Sequence, residues 1–170
     1  MNMSQYSSWR LQGGAPIVSA HELTYYTPQT NYMVCTSGGY DPIHPGHISC
    51  MMQAKNFNYI LVVIVNGDTF LKTKKGRPFQ DLKTRCQIVS TIRGVDYVIP
   101  YEVENDMTVC GALEIIRPGV FAKGGDRVDI ETIPEWEVCR KGKIRIVTGV
   151  GLPKDWSSSD FLNDWAKHRV

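Results

Sequence analysis

Ser37-Gly38-Gly39-Tyr40-Asp41-Pro42-Ile43-His44-Pro45-Gly46-His47 is the stretch that decides how this chain folds. Just before it, Tyr32-Met33-Val34-Cys35-Thr36-Ser37 reads as a buried strand. Just after it, His47 to Phe57 reads as a helix. A strand, a glycine-rich turn and a helix N-terminus in that order suit a polyphosphate. Free backbone N–H groups and the positive end of the helix dipole would face the anion. His44 and His47, three residues apart at the helix start, can point into one pocket.

Outward from this block, apolar runs and helical patterns alternate. Tyr59 to Val65 is almost continuously β-branched, the pattern of a strand buried on both faces. Asp81 to Ile92 predicts a helix with Leu82, Cys86, Val89 and Ile92 inward and Arg85 off that stripe, where it reads as surface decoration. Val95–Pro100, Val120–Lys123 and Ile144–Val150 read as further strands. Thr108–Ile116, Pro134–Lys141 and Ser158–His168 read as helices, with Arg117-Pro118-Gly119 ending the first of these. The alternation predicts an α/β fold, a five-stranded parallel sheet with helices on both faces. Residues 31–170 form the expected domain. Met1 to about Thr30 is polar and weakly periodic and reads as an N-terminal arm. Trp9, Tyr25 and Tyr26 give it something to bury, on the body or on a neighbouring subunit; disorder is the alternative.

At 170 residues the chain has the length of one domain with a core of its own. Its 42% hydrophobic and 21% charged residues are ordinary for a globular protein. A net charge of +2 without a concentrated basic face gives no reason to expect nucleic acid. Five scattered cysteines, with no Cys-x-x-Cys pair, read as reduced thiols. No apolar run reaches the roughly 20 residues that span a bilayer, and no secretory leader pattern is visible. The expectation is a cytoplasmic protein with no membrane partner.

The chemistry-bearing segments all follow predicted strands, where ligands bind in an open α/β sheet. These are Ser37 to His47, Asn66-Gly67-Asp68, Lys123-Gly124-Gly125-Asp126, and the stretch from Gly149 to Ser157-Ser158-Ser159. The histidines could be structural, metal ligands or phosphate ligands. A metal would need more partners, and His21 and His168 lie far from any ligand spacing. Phosphate binding needs only an N–H aimed at an oxygen. Gly38, Gly39 and Gly46 permit close backbone approach, and Asp41 beside Pro42 is either a turn carboxylate or a substrate contact. Lys72, Lys74, Lys75 and Arg77 sit in an expected loop at the pocket edge, either as a solvated charge run or as phosphate contacts. The serine triplet before an apolar helix is an N-cap pattern compatible with anion binding.

Gly38-Gly39-Tyr40-Asp41-Pro42-Ile43-His44-Pro45-Gly46-His47 resembles the signature of the nucleotidylyltransferase superfamily. The likeness extends over residues 33–162 to the cytidylyltransferase-like branch, through Asn66-Gly67-Asp68, Lys75-Gly76, Arg77-Pro78, Arg85 and the serine triplet. Lys123-Gly124-Gly125-Asp126 is similar to the corresponding loop of the adenylyltransferase domain of ADP-heptose synthases. The resemblance implies a Rossmann-like fold and transfer of AMP or CMP from ATP or CTP to a sugar- or polyol-phosphate. Pyrophosphate leaves, with Mg²⁺ held mainly by the nucleotide phosphates rather than by a protein metal site. It implies His44, His47, Lys75 and Arg85 as catalytic residues. Ser37, Gly38, Gly39, Tyr40, Gly46, Lys123, Gly124, Asp126, Ser157, Ser158 and Ser159 would contact the nucleotide. Asp41, Asp68 and Lys72 would contact the acceptor, with Lys72, Lys74 and Lys75 interchangeable for the phosphate because the loop is short. A homodimer is expected from the resemblance alone. Departures are Tyr40 for the commoner Phe, Arg127 where the heptose enzymes often have Tyr, and a segment Glu131 to Lys141 of its own. A glycerol-3-phosphate-type cytidylyltransferase and a non-catalytic nucleotide-binding module are the alternatives.

Overall fold

The structure, a computed structural model, describes residues 5–57, 60–125, 129–153 and 155–168. Its sheet is five-stranded and wholly parallel. The strands are β1 (Met33–Gly38), β2 (Ile60–Asn66), β3 (Tyr97–Tyr101), β4 (Val120–Ala122) and β5 (Arg145–Val147). Their order is β3-β2-β1-β4-β5. The chain therefore builds from β1 out to β3, then returns to lay β4 and β5 on the other side. The reversal falls between β1 and β4, paired from Val34↔Val120 to Thr36↔Ala122. A crevice opens beyond the carboxyl ends of strands that diverge in this way.

The period-two geometry of β2 sorts its side chains into two cores. Leu61, Val63 and Val65 pack with the helices α2 (Pro45–Ala54) and α4 (Leu82–Ser90). Val62 and Ile64 pack on the opposite face with α1 (Ala20–Tyr26), α5 (Cys110–Ile116) and α6 (Trp136–Gly142). All five are fully buried, each contributing about 1.5–3 kcal/mol by burial. A one-residue slip of β2 would exchange the two sets, so the doubly apolar run also fixes register.

Much of the polar N-terminal segment is fastened to the body. Ile17 bridges in parallel to Val98 on β3, and Val18 N–H donates to the Val98 carbonyl at 3.0 Å, which covers that edge of the sheet. Ser19 and Glu22 form a capping box at the start of α1, and Leu23 is fully buried. Tyr6 and Trp9 pack against the first core.

Among the expected elements, one fails outright. The run expected as a loop, with Lys72, Lys74 and Lys75, is the helix α3 (Asp68–Lys75). Its charges follow helix logic, acid in the first turn and bases in the last, with Gly76 at φ +87° beyond. Only Leu71 is buried, so no apolar stripe announces the helix. The last helix, α7 (Ser158–Lys167), has no buried residue. Among the described residues no helix is long and apolar enough to cross a membrane.

Candidate active site

The corner between β1 and α2 is built around His44, the N-cap of α2. Its Nδ1 accepts from the His47 backbone N–H at 3.3 Å. In the neutral ring that contact leaves the proton on Nε2, which can donate to a ligand. The two imidazoles stack with centroids 3.5 Å apart and planes 18° from parallel. Tyr40 packs edge-on to His47 at 5.0 Å. Burial, followed by the charges of His44, Lys74 and Lys75, pushes His47 down to about 3. Burial also lowers His44. His47 Nδ1 is buried without a hydrogen-bond partner. A neutral ring with an unmet nitrogen beside cations is the condition of an anion site before its anion arrives.

Two glycines leave room for this packing. A Cβ at Gly46 would lie 3.2 Å from the His44 ring, and one at Gly38 would lie 2.9 Å from the ring of Tyr40.

Two cavities meet at the turn after β1. One, of about 320 Å³, is walled by Ser37 to Tyr40, His44, Gly46 and His47, with Gly124, Gly125 and Trp156 also lining it. The other, of about 200 Å³, has Asn66, Thr108, Lys123 and Glu135 in its wall. Ser37, Gly38, Gly39 and Lys74 line both. A third space of about 390 Å³ lies between Lys75–Phe79 and α7.

A second polar cluster holds the turn in place. The buried Asp41 carboxylate accepts from Phe79 N–H at 2.8 Å, from Gln80 N–H at 2.7 Å and from Lys75 Nζ at 2.9 Å. Lys75 also donates to the Asp41 carbonyl. Arg85, expected on the surface, is fully buried. Its guanidinium reaches the carbonyls of Gly39, Asn66 and Gln80 at 2.6–3.0 Å and Asp68 Oδ1 at 2.6 Å. Of the residues expected in catalysis or acceptor binding, Lys75 is thus paired with Asp41 and Arg85 with Asp68. These residues tie β1, β2, α3 and α4 together, with Lys75 also lining the space under α7.

Other expected residues divide similarly. Lys72 is exposed and lines neither cavity of the turn, whereas Lys74 lines both. Lys123 faces the smaller cavity, ion-paired with Glu135 at 3.2 Å, rather than the histidine side. Ser157 caps α7, accepting from Asp160 N–H at 3.3 Å. Ser158 donates to the Pro42 carbonyl at 2.8 Å, and Ser159 lines the space under α7. Asp126, and Arg127 after it, lie outside the described residues.

Sequence reasoning did not place Glu135 and Thr108 in the wall of the smaller cavity or Cys50 in that of the larger, and left Asn66 and Trp156 unassigned. Asn66 and Trp156 carried a signal, since each stands at a strand-end segment. Glu135 carried none, because its partner Lys123 is brought to it by the fold.

The strand order, the switch-point crevice and the histidine pair at the first helix N-terminus define an α/β nucleotide-binding protein. Residues 35–151 match the family model described as cytidylyltransferase-like. The chain belongs to that family, and so to the nucleotidyltransferases. Among curated relatives, the Bifunctional protein HldE of Actinobacillus pleuropneumoniae serotype 5b (strain L20) is 34% identical over 112 residues, 65% of this chain and 23% of that protein. HldE of Marinomonas sp. (strain MWYL1) is 34% identical over 122 residues, 69% of this chain and 25% of the relative. The matches thus span about a quarter of these relatives' length. The lipopolysaccharide core biosynthesis protein from Thermoplasma volcanium GSS1 superposes with a TM-score of 0.59 at 25% identity, over 71% of this chain and 97% of that one. The pantoate-beta-alanine ligase from Francisella tularensis shares the fold, with a TM-score of 0.58 at 14% identity over 87% of this chain and 73% of that one.

Proposed function

We propose that this chain transfers AMP or CMP from ATP or CTP to a sugar- or polyol-phosphate, releasing pyrophosphate. The observation that carries the reading is the stacked, neutral His44–His47 pair at an α-helix N-terminus, in a cavity joined to a second one along a single wall. Two substrates that exchange a phosphoryl-linked group must meet, and Ser37, Gly38, Gly39 and Lys74 line both spaces. Its likeness to HldE proteins supports the sugar-phosphate acceptor and favours the adenylyl donor.

The triphosphate would occupy the larger cavity. His44 Nε2–H would donate to its oxygens, and the positive end of the α2 dipole would face them. The unmet His47 nitrogen would gain its partner there. The acceptor phosphate, already a nucleophile, would attack the α-phosphorus from the smaller cavity. Catalysis then rests on in-line placement and charge neutralisation, without a general base. Lys74, on the shared wall, stands where charge is transferred.

Among the described residues no group of three or more His, Cys, Asp or Glu is placed to hold a metal ion. Mg²⁺ would be carried in on the nucleotide phosphates and, when bound, would supply further neutralisation of their charge. The chain's own donors orient the phosphates around it.

Pyrophosphate release, measured with each of four triphosphates against a panel of sugar- and polyol-phosphates, tests the reading. Release dependent on both substrates is expected, with ATP preferred. Turnover with CTP alone would replace the adenylyl preference by the glycerol-3-phosphate type, and no release with any pair would sink the proposal.

A further inference from the structure

The smaller cavity holds two oxygen acceptors with little to accept from. Asn66, 8% exposed, has a buried side-chain Oδ1 without a hydrogen-bond partner. Glu135 is 4% exposed, yet among the described residues its carboxylate receives only a long contact from Val109 N–H at 3.4 Å and the Lys123 ammonium at 3.2 Å. A carboxylate has about four acceptor positions. Both residues line the same space of about 200 Å³. Buried acceptors left unmet are costly, so a native site that keeps them is shaped for a ligand that brings donors. The cations Lys74 and Lys123 line the same wall. The ligand must therefore carry an anionic group and several hydrogen-bond donors.

We infer that Asn66 and Glu135 are specificity-determining residues. Asn66 Oδ1 and the Glu135 carboxylate accept from hydroxyl groups of the acceptor while Lys74 meets its phosphate. This deepens the transfer reading above and rests on it for the identity of the cavity. Lys123 orients the Glu135 carboxylate, and Val109 N–H fixes its other oxygen. The neutral amide of Glu135→Gln can still accept from Val109 N–H but loses the oxygen facing Lys123. A polyhydroxylated phosphate satisfies this cavity; an alkyl phosphate of the same shape strands both acceptors.

Calorimetric titration with matched pairs tests the inference without requiring turnover. The pairs are a hexose 1-phosphate against cyclohexyl phosphate and glycerol 3-phosphate against propyl phosphate. The unaltered protein is expected to bind the hydroxylated member of at least one pair about tenfold or more tightly. In Glu135→Gln and Asn66→Ala that ratio is expected to fall towards one, while ATP affinity, read in the same instrument, stays within about twofold of the unaltered protein's and reports an intact fold. Equal affinities within both pairs, or a ratio unchanged in both variants, would overturn it. Selective binding without pyrophosphate release would sink the transfer reading alone. Release without hydroxyl selectivity would sink this inference alone.

Discussion

Two polar clusters stand side by side after β1, and they differ in what they leave unmet. In the cluster of Asp41, Lys75, Asp68 and Arg85, the guanidinium spends Nε, Nη1 and Nη2 on four protein oxygens. The Asp41 carboxylate takes two backbone N–H groups and an ammonium. In the cluster of His44 and His47, one ring nitrogen caps a helix and another is buried with nothing to bond. Saturation marks groups whose partners are the protein itself. An unmet nitrogen marks a partner still to come. The comparison sorts the charged residues near the turn into those that hold the site and those that use it.

The harshest way to break that sorting is Arg85→Met. It leaves the partly exposed Asp68 carboxylate and three carbonyls, among them Asn66 in a fully buried bond, without their donor and is expected to cost on the order of 3 kcal/mol of folding stability. Arg85→Lys, one point charge for a fork, should recover only part of this. Urea unfolding of both variants measures it. A loss below about 1 kcal/mol would mean that Arg85 is held loosely and is available to the phosphates after all. Next in size is His47→Gln, expected to lower turnover by ~10²–10³, as removal of one oxyanion-stabilising donor does. Its stability at neutral pH should change by less than about 1 kcal/mol, since the ring nitrogen it removes is unpaired. The contrast sharpens if the two variants separate rate from stability, and dissolves if both lose both.

The sequence told the two clusters apart only halfway. The β1 run, the glycines and the paired histidines were legible because each is a local signal, from strand to turn to helix start. Arg85 was not. Its place off the apolar stripe of α4 predicts exposure, and its burial depends on carbonyls of Gly39 and Asn66 delivered by other strands. Helix α3 escaped for a related reason: with Leu71 alone buried, its evidence lies in end charges and Gly76, not in periodicity. Glu135 became visible only when β4 carried Lys123 to it. Local pattern reaches as far as the backbone around the site; the division of labour among its charges is tertiary.

Titration separates the clusters again. The unfolded chain takes up a proton on His47 near 6.5, whereas the folded ring, desolvated, resists it to about 3. Between those values the unfolded state holds the extra proton, so stability falls as pH falls and is unaffected above the window. By pH 5 the loss from this residue is about 2 kcal/mol. Urea midpoints of the unaltered protein and His47→Gln at pH 7 and pH 5 should show that extra loss only where His47 is present. Addition of ATP should shrink it, because phosphate oxygens favour the protonated ring. Equal losses in both proteins would place the low-pH sensitivity elsewhere.

The smallest expected effect tests the boundary between the clusters. Ser158 Oγ donates to the Pro42 carbonyl at 2.8 Å, tying α7 to the turn that carries both Asp41 and His44. Helix α7 has little else to hold it, with Trp165 68% exposed and Phe161 meeting His44 only at the ring edge, 6.2 Å between centroids. Ser158→Ala should therefore cost about 1 kcal/mol, one half-buried hydrogen bond. If that bond serves the fold alone, KM for the triphosphate will not move. If Ser158 turns to the nucleotide when it binds, KM rises several-fold while the urea midpoint hardly shifts, because the Pro42 carbonyl can reach water instead. The ratio of the two changes, read on one variant, decides on which side of the comparison α7 belongs.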